Sequence, residues 1–108
     1  MKLTILTVVK NDDQNIESTI QSVLAQNFQE FEYLIIDGNS NDDTQKIIRR
    51  FKYEKIKFFT IKDNSVYEAL NFGIKKSIGD YIGMLHSGDL FCDNNVLKKI
   101  NEKINSTE

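Results

Sequence analysis

Asp12, Asp13, Asp37, Asp63 and Asp89 all stand just after runs of apolar residues. The last lies in YIGMLHSGDLF, where an apolar run leads directly into His86, Ser87, Gly88 and Asp89. Carboxylates gathered on one edge repel unless a cation or hydrogen-bond donors offset them. Clustered oxygen ligands suit a hard divalent ion such as Mg2+ or Mn2+. A single carboxylate is a poor site alone and a good one when a diphosphate supplies the remaining oxygens. Gly38 and Gly88, beside two of these acids, let the backbone approach a ligand closely or take a positive φ.

Each of these residues also has an ordinary structural duty. Asp12, Asp13, Asp42 and Asp43 stand where helices begin and read as caps and dipole partners; Asp63 reads the same way for a third helix. Asp37 ends an apolar strand before a glycine, several residues short of the next helix, and the residues alone leave its role open, as they do for Asp89. His86 is the only histidine, with no Cys or Ser partner for a nucleophilic triad. No glycine-rich phosphate loop of either standard spacing occurs. Lys46, Arg49, Arg50 and Lys52 read as a solvated helix face, and the Phe and Tyr residues fall mostly on apolar faces.

The elements that must place these residues alternate. KLTILTVV is β-branched and apolar on both faces, as expected of a strand covered on both sides in a parallel sheet. Ile16, Ile20, Val23, Leu24 and Phe28 then recur with helical spacing. FEYLIID is a second strand ending at Asp37, followed by the turn-rich GNSNDDT and a helix that turns Ile47, Ile48 and Phe51 inward. IKFFTI is a third strand. From Ser65 a helix is expected to bury Val66, Ala69, Leu70, Gly73 and Ile74, with Gly79 as its C-terminal cap. DYIGML is a fourth strand, and a last helix carries Val96, Leu97, Ile100 and Ile104. This order predicts the α/β class: a Rossmann-like parallel sheet with flanking helices. Ligands of such sheets bind beyond the carboxyl ends of the strands, where the acids fall.

The 108 residues suit a single domain, 1–108, with one core. A net charge of −2 provides no drive toward nucleic acid or an anionic membrane. The one cysteine, Cys92, excludes an internal disulfide and fits a reducing compartment. The first apolar run is too short for a bilayer span or a signal core, so a cytoplasmic chain is expected.

Two blocks carry a resemblance. LTILTVVKNDDQNIESTIQSVLAQNFQEFEYLIIDGNSNDDT is similar to the opening of a family 2 glycosyltransferase: a strand leading to Asn11, a helix with SVLAQ, then EYLIIDGNSNDDT. DNSVYEALNFGIKKSIGDYIGMLHSGD resembles a later block of that family. Together the match spans residues 3 to 91. It departs from the family pattern at His86 and Gly88, which replace the first two acids of the usual D-x-D-D, and at Ser65, where a glycine is usual.

The resemblance implies the N-terminal part of a GT-A fold that binds a nucleotide-diphosphate sugar. It implies a nucleotide-binding set of Val8, Lys10, Asn11, Asp37, Asn39, Asp63, Asn71, Ser87 and Gly88. Within that set Asp37 accepts the imide N–H of uracil, as an acceptor-only group can. Asp89 is the implied ligand of a Mn2+ or Mg2+ that neutralises the leaving UDP. The implied reaction moves a sugar from a UDP-sugar to a glycan or lipid-linked acceptor in bacterial surface polysaccharide synthesis. No catalytic base is assigned within the chain: an Asp or Glu is expected in an acceptor half absent from these residues, and other segments could hold the protein at the inner face of the membrane. The chain is thus expected to bind donor and by itself to transfer little or nothing. Two other readings are a non-catalytic nucleotide-binding or assembly module of the same fold, and a receiver-like phosphoacceptor domain.

Overall fold

The computed structural model describes residues 2–62 and 65–106. The strands are β1 (Leu3–Val9), β2 (Phe31–Asp37), β3 (Ile56–Thr60) and β4 (Tyr81–Met84); the helices are α1 (Ile16–Leu24), α2 (Thr44–Arg49), α3 (Val66–Lys76) and α4 (Val96–Ser106). The strands form one sheet in the order β3-β2-β1-β4, with every neighbouring pair parallel. This order matches the first four of the six strands of the doubly wound Rossmann sheet. It also rules out the receiver-like reading, whose sheet places the first strand between the second and third.

β1 sits at the centre because it can be buried on both faces. Leu3, Ile5 and Val9 pack with Ile16, Ile20 and Val23 of α1, Ile48 of α2 and Leu97 of α4. Leu6 points the other way, into a smaller cluster with Leu34, Ile36 and Ala69 of α3. The two polar residues of β1 that enter the core are both satisfied. Thr7 shares a hydrogen bond of 2.8 Å with the buried Tyr33 hydroxyl, and Thr4 donates to Glu32 at 2.9 Å. Glu32 also accepts from the Ile78 amide at 3.0 Å and from Lys57 at 2.7 Å, so one carboxylate ties β2 to β1, to β3 and to the segment before β4.

Burial alone would raise the pKa of Glu32. Its hydrogen bonds from Lys57, the Ile78 amide and Thr4, with the charge of Lys57, outweigh that and hold it below the usual value. A depressed folded-state pKa gives stability that is present above the unfolded-state value and lost as pH falls through the folded one. Urea midpoints measured from pH 6 down to pH 3 are therefore expected to fall less steeply for Glu32→Gln than for the parent; parallel acid limbs would contradict this.

Three expectations are corrected. Val66 and Ile74 of α3 are 56 % and 48 % exposed, not buried. The buried stripe of α3 is centred on Ala69 and Gly73 and lies over β1 and β2, while Val66 opens to a cavity at the carboxyl edge of the sheet; β4 has no second neighbour. Ile82 and Met84 of that strand are partly exposed. Gly79 does not cap α3. Ser77 is the C-terminal cap, and Gly79 instead lies so close to β1 that a Cβ there would fall 2.7 Å from the Thr4 amide nitrogen. Of the four helix-starting acids, only Asp42 behaves as a cap, accepting the Thr44 amide at 2.9 Å. The N-cap residue of α1 is Asn15, and neither it nor Asp43 of α2 makes a side-chain cap bond. Asp63 lies outside the described residues, and α3 is capped by Ser65, whose hydroxyl accepts the Tyr67 amide.

Phe28 and Phe51 pack on the core as expected, but from beyond the ends of α1 and α2. Just past α1, the buried Gln26 donates to the Asp93 carbonyl at 2.7 Å and accepts the Leu97 amide at 3.0 Å. It thereby supplies the cap that the start of α4 would otherwise lack.

Candidate functional site at the carboxyl edge of the sheet

The strand order reverses at β1. α1 and α2 pack on one face and α3 on the other, so the loops after β1 and β4 meet in a crevice instead of being covered by a crossover helix. A cavity of about 210 Å3 opens there, lined by Val8, Val9, Lys10, Gly38, Ser65, Val66, Ala69 and His86. Two larger hollows lie elsewhere. One is at the amino edge, between Leu3, Phe31 and Lys55; the other lies along the open side of β4. Neither gathers the strand-end residues, and size alone does not identify a site.

The loops are stitched together by side chains. The Asp37 carboxylate is 0 % exposed. It accepts the Ser40 amide at 2.9 Å, the Ser40 hydroxyl and Gln45 Nε2 at 2.8 Å. Ser40 Oγ in turn accepts the Asn11 amide at 2.8 Å. Asn11 Oδ1 accepts the Asn41 amide at 2.9 Å. The Asp12 amide donates to Thr44 Oγ1 at 3.0 Å. Asn11 and Asn39 both have positive φ, 52° and 67°, a region asparagine enters more readily than most residues. The polar loops after β1 and β2 are thus one hydrogen-bonded unit.

The turn after β4 joins that unit. Ser87 Oγ donates to Asp12 Oδ2 at 2.8 Å, and the Gly88 amide donates to Thr19 Oγ1 at 2.9 Å. Gly88 has φ 97°, which only glycine adopts without strain. The Asp89 amide closes the turn on the His86 carbonyl at 2.9 Å, and the Asp89 side chain is exposed.

The structure therefore brings Val8, Lys10, Asn11, Asp37, Asn39, Ser87, Gly88 and Asp89 to one edge. Asp37 is turned into its own loop, and its neighbour Gly38 faces the cavity. Asn71 is exposed on α3 and does not line the cavity. Sequence reasoning passed over Thr19, Ser40, Thr44 and Gln45, the residues that support the loops. Ser40 and Thr44 stand in the quoted GNSNDDT; Thr19, inside a helix, gives no such signal.

Among the described residues no three His, Cys, Asp or Glu side chains are grouped to hold a metal ion. The exposed Asp89 carboxylate is the right kind of donor for a hard divalent ion, but it is one ligand where six or more are wanted. The residues fit a shared site, in which an oxygen-rich ligand such as a diphosphate completes the shell.

The family model for glycosyl transferase family 2 matches residues 4–108. The chain belongs to glycosyl transferase family 2. A Rickettsia conorii protein named as an uncharacterised glycosyltransferase is 41% identical over 91 residues, covering 83% of this chain and 15% of that protein. The Escherichia coli glucosyltransferase WfaP is 32% identical, over 98% of this chain and 41% of its own length. The chain thus spans less than half the length of these relatives. Among solved structures, S. aureus TarS 1-349 superposes with a TM-score of 0.90 at 23% identity, covering 98% of this chain and 33% of that one. The mannosyltransferase PcManGT from Pyrobaculum calidifontis, solved with GDP-Man and Mn2+, gives 0.81 at 18% identity, over 88% and 30%. At these identities the likeness speaks for the fold, which is GT-A.

Proposed function

We propose that the chain is the donor-binding part of a glycosyltransferase, taking a UDP-sugar and a divalent metal at the carboxyl edge of the sheet. The observation that carries this reading is the crevice where the strand order reverses, with Gly38, Lys10 and His86 around one cavity and Asp89 on the adjoining turn. The nucleoside sits between the β1 exit and the Gly38 loop, whose shape Asp37 maintains. The diphosphate lies toward Ser87, Gly88 and Asp89. A bound Mn2+ or Mg2+ would neutralise the charge of the departing diphosphate; what the chain itself supplies is a carboxylate, a closely approachable glycine backbone and a rigid crevice.

The choice of UDP rests on relatives. TarS has been crystallised with UDP and with UDP-GlcNAc, and WfaP is named for UDP-Glc and a GlcNAc-diphosphoundecaprenol acceptor. By that analogy the sugar goes to a glycan or lipid-linked acceptor in bacterial surface polysaccharide synthesis. The acceptor-binding site and a carboxylate base are supplied by polypeptide outside these residues, and the reaction takes place in the cytoplasm, at the inner face of the membrane. No helix among the described residues is long and apolar enough to cross a membrane.

The test is a thermal-shift titration with UDP, GDP, CDP and ADP, with and without Mn2+. Ligand at about a hundred times Kd adds roughly 2.7 kcal/mol, and each kcal/mol is worth about 4–8 °C in a domain of this size. UDP is expected to give the largest shift, and Mn2+ to enlarge it. Asp89→Ala is expected to remove the Mn2+ increment and keep the metal-free shift. A cooperative melt unmoved by any nucleotide would favour the non-catalytic reading instead.

A further inference from the structure

The turn that carries Asp89 has little to hold it. β4 is four residues long at the edge of the sheet, and the His86, Gly88 and Asp89 side of the turn is exposed. Its backbone link to β1, from the Ser87 amide to the Val8 carbonyl, is long at 3.5 Å. The two short tethers are to side chains of the α1 region. Ser87 Oγ reaches Asp12 Oδ2 at 2.8 Å, and the Gly88 amide reaches Thr19 Oγ1 at 2.9 Å.

Both tethers are themselves anchored. Thr19 is fully buried, and its hydroxyl donates to the Asn15 carbonyl at 3.3 Å, leaving a lone pair for Gly88. Asp12 is held at its amide by the buried Thr44 and at Oδ1 by Asn15 Nδ2, 2.9 Å away. A helix packed in the core therefore sets where an exposed carboxylate stands. We propose that Thr19 and Asp12 are positioning residues for the His86–Asp89 turn, placing Asp89 for the metal–diphosphate. This inference rests on the donor-site reading above and deepens it. Partners that orient a metal ligand commonly matter by about 10–100-fold in metal affinity.

Thr19→Val keeps the buried shape and removes the acceptor, whereas Thr19→Ser keeps the hydroxyl. In the metal-free chain, the Gly88 amide is expected to exchange with deuterium about fivefold faster in Thr19→Val, the loss of one ordinary hydrogen bond. UDP binding by calorimetry is expected to need about tenfold more Mn2+ for half of its metal-dependent gain. Thr19→Ser restores both. Asp12→Ala and Ser87→Ala together are expected to raise the Mn2+ requirement no more than either alone. A Thr19→Val chain with the parent's Mn2+ titration overturns the inference, as does a folded Thr19→Ser chain as impaired as the valine variant. If UDP binding by the parent does not respond to Mn2+, the donor-site reading falls and takes this inference with it.

Discussion

Asp37→Ala is expected to cost stability and nucleotide binding together. The alanine removes the acceptor of three donors: the Ser40 amide, the Ser40 hydroxyl and Gln45 Nε2, of which only the last keeps another partner, the Ser40 carbonyl at 3.2 Å. A buried donor left without a partner costs about 1–3 kcal/mol. Water entering the loop relieves some of this, so a loss of about 3 kcal/mol is expected from a domain whose whole stability is on the order of 5–15 kcal/mol. Ser40 also positions the Asn11 amide, so the damage reaches the loop after β1 and the UDP-induced shift disappears. Asp37→Asn separates the two effects. It keeps one acceptor oxygen and sets an N–H against the remaining donors, and its denaturant midpoint is expected between those of the parent and the alanine variant. An alanine variant as stable as the parent, or one that still binds UDP normally, would show that the loop does not depend on this carboxylate.

Gly79→Val is expected to be the most damaging change away from the crevice. A Cβ at Gly79 would stand 2.3 Å from Thr4 Oγ1 and 2.7 Å from the Thr4 backbone nitrogen. The hydroxyl could rotate away, but the nitrogen belongs to the central strand. Relief requires the start of β4 to lift from β1, where the Asp80 and Tyr81 amides both reach the Lys2 carbonyl. Overpacking of this kind costs about 3 kcal/mol, and at about 4–8 °C for each kcal/mol the melting temperature should fall markedly. Thr4→Ala is not expected to rescue it, because the backbone clash remains. Gly73→Ala provides the contrast. There the nearest atoms are the methyls of Leu6, which can move, and a smaller loss is expected.

Much of the sheet could be read directly. The four strands fall where apolar runs end in polar clusters, and β2 and its terminal Asp37 match residue for residue. That success has a physical basis: a parallel strand buried on both faces is continuously apolar, and its end is marked by the first polar residue that must reach water. α3 was harder. Val66 and Ile74 have helical spacing and apolar side chains, yet whether they are buried depends on which part of α3 lies against β1 and β2, which local periodicity does not encode. Gly79 follows a helix and so resembles a cap. The strand it touches is more than seventy positions away, so its role is invisible locally. At the crevice, the candidate residues for ligand could be named from type and resemblance. The residues that hold them could not: Thr19, buried in α1, looks in sequence like any polar residue on an amphipathic helix.

The central place of β1 has a consequence for how the chain acquires its shape. Leu3 through Leu6 pair on one side with Phe31 through Leu34 and on the other with Tyr81 through Met84. During synthesis at roughly 5–20 residues per second, the second partner emerges on the order of 4–16 s after β1 itself. For that interval one margin of the most apolar strand has no neighbour, and closing the gap requires joining residues 78 positions apart. Chains dominated by such distant pairings fold in milliseconds to seconds, not microseconds. Of these four strands the first made is the last to be completed, and the nascent sheet is at most risk of sticking to its neighbours before residue 81 appears.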